Sequence, residues 1–112
     1  VEKITSLHEI EKITATNAVA KKELLTVFIE EASLQIIKLK DFLNDGNLPE
    51  LINTAHKIKS SLLLIGMDAY KPLAERIEQS DATKKITDDV LELIKIYTRA
   101  VEELKTELKA LH

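Results

Sequence analysis

From Val90 to Leu111 the chain sets Val90, Ile94, Tyr97, Val101, Leu104, Leu108 and Leu111 at alternating steps of four and three. A helix turns about 100° per residue, so only a helix gathers these side chains on one side. A strand would scatter them over two faces. A seam of this length must be covered by other helices or by a second chain. Thr87 stands where a cap belongs, and Asp88 and Asp89 follow at the positive end of the helix dipole. The expected helix runs over 87–111.

The rest of the chain supplies covering material of the same kind. Leu25, Phe28, Ala32, Ile36, Leu39 and Leu43 recur at three- and four-residue steps, which predicts a helix over 18–44 closed at Gly46. A helix over 48–65 opens with Asn47 as cap, Glu50 as its box partner and Pro49 in the first turn, and stops at Gly66. A helix over 68–80 opens at Asp68, with Tyr70, Leu73, Ala74 and Ile77 inward. A short helix over 6–14, capped by Ser6 with Glu9 and edged by Leu7, Ile10 and Ile13, is expected to lie across one end. With two Gly, two Pro and 4% aromatic residues in 112, a turn-rich β fold is disfavoured. The expectation is all-α: an antiparallel up-and-down four-helix bundle with a short extra N-terminal helix, one domain over 1–112.

The helix over 48–65 carries the chemistry. With Leu51 as origin, Leu48, Ala55, Ile58, Leu62 and Ile65 fall within about 60° of it and make a buried stripe. His56 falls about 140° round, in solvent. Ile52, Asn53, Lys59, Ser60 and Leu63 share its side. A neutral imidazole is a nucleophile near neutral pH. Lys59, one turn on, can offset negative charge gained there. Small residues at Ser60 and Ser61 leave room for a partner's active site, and Ile52 and Leu63 give it apolar ground.

These residues carry a resemblance. Ala55-His56-Lys57-Ile58-Lys59-Ser60-Ser61, then Leu64-Ile65-Gly66-Met67, then Leu73-Ala74 and Ile77-Glu78 resemble the histidine-containing phosphotransfer (HPt) domain of bacterial phosphorelays. The resemblance implies that His56 accepts a phosphoryl group from a receiver-domain aspartate and passes it to another receiver. It gives Lys59 the charge-offsetting role. The chain departs from the family pattern at Ser60, where Gly is usual after the lysine. The resemblance also implies a phosphocarrier without nucleotide or cofactor of its own, with Mg²⁺ on the receiver.

The implied partners are response-regulator receiver domains, those of a hybrid sensor kinase foremost. The implied setting is cytoplasmic and monomeric, and the start at Val1 rather than Met suggests a piece of a longer chain. A net charge of -3 gives nucleic acid no footing. No apolar run reaches the ~18 residues of a membrane span. Without cysteine there are neither disulfides nor thiolate metal sites. His8, His56 and His112 lack metal-ligand spacing, and Glu102, Glu103 and Glu107 read as a solvated face. No acid placed to orient His56 is evident, which argues against a Ser60 hydrolase. The competing expectation is a helical adaptor, or a coiled-coil dimer formed through the last helix.

Overall fold

The computed structural model describes residues 2–111. Val1, the non-Met start, and His112, the third histidine, lie outside the described residues. Among the described residues every regular element is helical: α1 (His8–Thr14), α2 (Ala18–Asp45), α3 (Leu48–Leu62), α4 (Lys71–Glu78) and α5 (Thr83–Ala110). Short 3₁₀ turns, Leu63–Ile65 and Asp68–Tyr70, join α3 to α4. α2 packs on α3 and α5, and α4 packs on the same two helices. α3 therefore lies between α2 and α4.

The stripe of α3 lies where the periodicity puts it. Leu51, Ala55, Ile58, Leu62 and Ile65 are fully buried, and Leu48 is half-buried. Regular α geometry ends at Leu62, however. The chain then tightens into the first 3₁₀ turn and closes at Gly66, whose φ is 71°. Asn47 caps the start, its side chain accepting from the Glu50 amide at 3.3 Å. The reciprocal half of the box is not made, because the Asn47 amide already donates to the Phe42 carbonyl that closes α2.

Three other boundaries differ from expectation. α5 starts at Thr83, a turn before Thr87. The physical reason is Ile86, which is buried and extends the seam by one step. Thr87 is inside the helix and bonds the Thr83 carbonyl at 3.2 Å. The seam itself is centred on Val90, Leu93, Tyr97, Ala100 and Leu104, with Ile94, Leu108 and Leu111 at its edge. It faces the chain's own core. Asp68 opens a 3₁₀ turn rather than α4, which runs only over Lys71–Glu78. In α1 no side chain caps the helix from Leu7; the Ser6 hydroxyl only accepts from the His8 amide at 3.3 Å. Ile13 is exposed, and Thr14 is buried in its place with its hydroxyl bonded to the Ile10 carbonyl at 2.8 Å.

Helix lengths explain why the N-terminal segment is needed. α2 and α5 have 28 residues each, whereas α3 has 15 and α4 has 8. At about 1.5 Å per residue the short pair cannot cover the long one. α1 packs on α2 and places Ile10, fully buried, in the same cluster as Leu25 and Leu104.

The two glycines separate backbone strain from crowding. Both hold positive φ, 67° at Gly46 and 71° at Gly66, which costs an L-residue about 1–2 kcal/mol. A Cβ at Gly46 meets open space, whereas one at Gly66 would lie 2.6 Å from the Ser6 Cβ. Gly66→Ala is therefore expected to lose clearly more stability than Gly46→Ala in urea denaturation. Equal losses would show that Ser6 moves aside freely.

Candidate functional site

His56 leaves α3 on the flank that faces α4, with its side chain 64% exposed. Its Nδ1 lies 2.6 Å from Oε1 of Glu78, the last residue of α4. The other oxygen of that carboxylate accepts from Lys59 Nζ at 2.7 Å. One carboxylate thus joins the two residues of α3 that the sequence singled out. α4 places it by burying Leu73, Ala74 and Ile77, which leaves Glu78 at the edge of the buried face with its side chain 13% exposed.

The charge balance is lopsided. Burial raises the Glu78 carboxyl pKa, and a helix C-terminus is a poor place for an anion. The bond from Lys59, then that from His56, outweigh burial and hold the carboxyl below its ordinary value of 4.5. Glu78 is therefore ionised at neutral pH and can only accept. Nδ1 of His56 must carry the proton of that bond. In the neutral ring the lone pair then sits on Nε2. Among the described residues no hydrogen bond reaches Nε2, so the arrangement offers an oriented nucleophile on an exposed ring.

The expectation that no acid orients His56 is thus corrected. Glu78 was visible only as the last residue of the resembling pattern, and no spacing rule links it to a histidine 22 positions earlier. Its contact comes from the packing of α4 on α3. The correction does not create a hydrolase. Ser60 Oγ donates to the His56 backbone carbonyl at 3.1 Å, not to the imidazole.

The other singled-out residues fall as follows. Ser60 is exposed, and Ile52 is half-buried. Leu63, 61% exposed, stands on the 3₁₀ turn rather than on α3. Ser61 is half-buried and donates to the Lys57 carbonyl at 3.2 Å. Lys57 lies with Glu31, Leu34 and Lys38 at the groove between α2 and α3. Arg76 is engaged by Asp89 of α5 at 3.2 Å. Glu103 and Glu107 are not a solvated face: Glu103 binds the N-terminal backbone and Glu107 pairs with Lys3.

The lowered Glu78 pKa has a defined pH consequence. Its stabilising contribution is complete above the ordinary carboxylate value and is lost as pH falls through the lower, folded value. A carboxyl-carbon NMR titration should give Glu78 a midpoint below 4.5, moved upward by Lys59→Ala. A midpoint unmoved by that change would remove the Lys59 bond from the site.

Comparison with known proteins adds the family. No curated protein and no solved structure matches the chain at a significant level. The family model described as "Hpt domain" matches residues 23–112, which include His56, Lys59, Gly66 and Glu78. Hpt domains are phosphocarrier modules of histidine phosphotransfer in phosphorelay signalling, acting with receiver and kinase domains. With most of its length matched, the chain belongs to the Hpt domain family.

Proposed function

We propose that His56 accepts a phosphoryl group from a receiver-domain aspartate and returns it to the aspartate of another receiver. The observation that carries this reading is the Nδ1 contact to Glu78 at 2.6 Å, which directs the ring's lone pair outward on Nε2. In the forward step that lone pair forms the N–P bond while the P–O bond to the aspartate breaks, leaving a carboxylate on the receiver. Nε2 has no proton to lose. The positive charge that the ring takes on faces the Glu78 carboxylate through Nδ1–H. Lys59, 22% exposed and bonded to that carboxylate, offsets charge on the arriving group.

Ile52, Ser60 and Leu63 form the docking ground in this proposal. Ser61 and Gly66 serve close approach and the helix stop. The site chemistry needs no metal or cofactor on this chain; Mg²⁺ belongs to the receiver. The partners are response-regulator receivers, including that of a hybrid sensor kinase, and the setting is cytoplasmic. The proposal also takes residues 1–112 as one monomeric domain, without kinase activity, built as an antiparallel up-and-down four-helix bundle. The ring of contacts α2–α3–α4–α5 supports that arrangement. The coiled-coil reading through the last helix loses its basis, because the α5 seam is spent within the chain.

Phosphoramidate, a small donor that transfers its phosphoryl group and releases ammonia, tests His56 without any docking. It should label the protein with an acid-labile, base-stable phosphate, attached at Nε2 by NMR. His56→Gln should abolish that label, and uptake from a phosphorylated receiver, with little change in thermal stability. Unimpaired labelling of the variant would refute the assignment.

Lys59→Ala should slow transfer from a receiver by about tenfold without abolishing it, in keeping with the loss of one charged contact. Rapid-quench rates equal to those of the unaltered protein would take Lys59 out of the mechanism.

A further inference from the structure

Residues 2–7 precede both α1 and the family-matched stretch, yet they are held in detail. The Glu103 carboxylate, with its side chain 14% exposed, accepts the Ile4 and Thr5 amides at 3.0 Å each and the Thr5 hydroxyl at 2.7 Å. Arg99 Nε donates to its second oxygen at 3.2 Å. The same arginine donates to the Glu2 carbonyl, and Lys3 pairs with Glu107. Burial alone would raise the Glu103 pKa, but these donors hold it below the ordinary carboxylate value. A carboxylate that gathers backbone amides fastens a strand of chain whatever its side chains.

The other end of this strap touches α3. Immediately beyond Thr5, the Ser6 amide donates to the Ile65 carbonyl at 2.8 Å, and Ser6 lies against Gly66. That carbonyl is one of the orphans left where a helix ends. The other backbone bonds at this end, Gly66 to Leu63 at 3.2 Å and Met67 to Leu62 at 2.8 Å, are local. α1 continues from the strap and packs on the same 3₁₀ turn. Leu63, the most exposed apolar residue of the proposed docking ground, stands in that turn.

We propose that Glu103 is a positioning residue for partner docking: by clamping residues 4–5 it holds Ser6 on Ile65 and so fixes the turn that presents Leu63. The proposal rests on the assignment of the receiver-docking face to this flank. The link is physical and short, from α5 through two strap residues to the end of the active helix. Releasing the strap leaves His56 and Glu78 intact, since both lie outside it, and loosens only the docking end.

Glu103→Gln keeps the shape but turns an amide donor toward donors that need an acceptor. Thr5→Val removes one bond only and serves if the first variant folds poorly. Three readouts separate the possibilities. Hydrogen exchange at Ser6 and Gly66 should quicken by about tenfold while amides at Ile58 and Val90 stay as they were. Labelling by phosphoramidate should not change. With a receiver domain shown to accept phosphate from the unaltered protein, KM should rise about fivefold with kcat nearly constant, as expected when binding alone is weakened. Uniformly faster exchange would make Glu103 a general stabiliser and overturn the proposal. An opened strap with unchanged KM would overturn it equally. Failure of phosphoramidate to label His56 would instead strike the functional assignment itself, so the two failures are distinguishable.

Discussion

The site depends on one carboxylate with two obligations. Glu78 holds the His56 ring by Nδ1 and the Lys59 ammonium by its other oxygen. Neither contact exists within α3 alone. The pairing requires α4 to lie against α3 within about an ångström of its place, since hydrogen bonds weaken steeply with misalignment. The apolar stripes of α3 and α4, fully buried at Ile58, Leu62 and Ile77, supply that alignment. Packing therefore sets chemistry here. The core chooses the position of the carboxylate, the carboxylate chooses the tautomer, and the tautomer leaves the lone pair on the ring nitrogen that faces outward.

Ionisation of Glu78 is what keeps this sequence in force. Were the carboxyl neutral, it could itself donate, and the ring could present either nitrogen to it. The lysine bonded beside it, together with the ring itself, holds the carboxyl below its ordinary value against the opposing effect of burial. Lys59 thus contributes to the resting site before any substrate arrives, as the counterion of the group that orients the histidine. The role proposed for it toward an incoming phosphoryl group comes in addition.

The periodic parts of the molecule were legible in the sequence, and the contacts between helices were not. The α3 stripe could be read because a 100° turn per residue maps spacing directly onto a face. That argument put His56 in solvent, and Asn47 and Gly46 marked a boundary by ordinary cap chemistry. Local rules failed where burial competed with a cap. Thr87 is a sound cap by type, but burying Ile86 favoured one more turn of α5. Ile13 fits the apolar edge of α1 by spacing, yet Thr14 occupies the interior by satisfying its hydroxyl on the preceding turn. Glu78 and Glu103 escaped for a common reason. Each acts on a residue distant in sequence, and an acidic side chain on a helix reads as solvated until its partner element is in place.

The unequal helix lengths bear on how much of the chain shares this interior. Because α3 and α4 stop short, the far ends of α2 and α5 rely on residues that precede the family-matched stretch for their cover, with Ile10 wedged into the shared interior. A boundary drawn by likeness to relatives and a boundary drawn by exclusion of water need not coincide. In this chain the second lies upstream of the first. The early residues are a plug in the mouth of a half-open barrel, and a version trimmed to the recognisable motif would keep His56 and Glu78 while leaving the interior ajar.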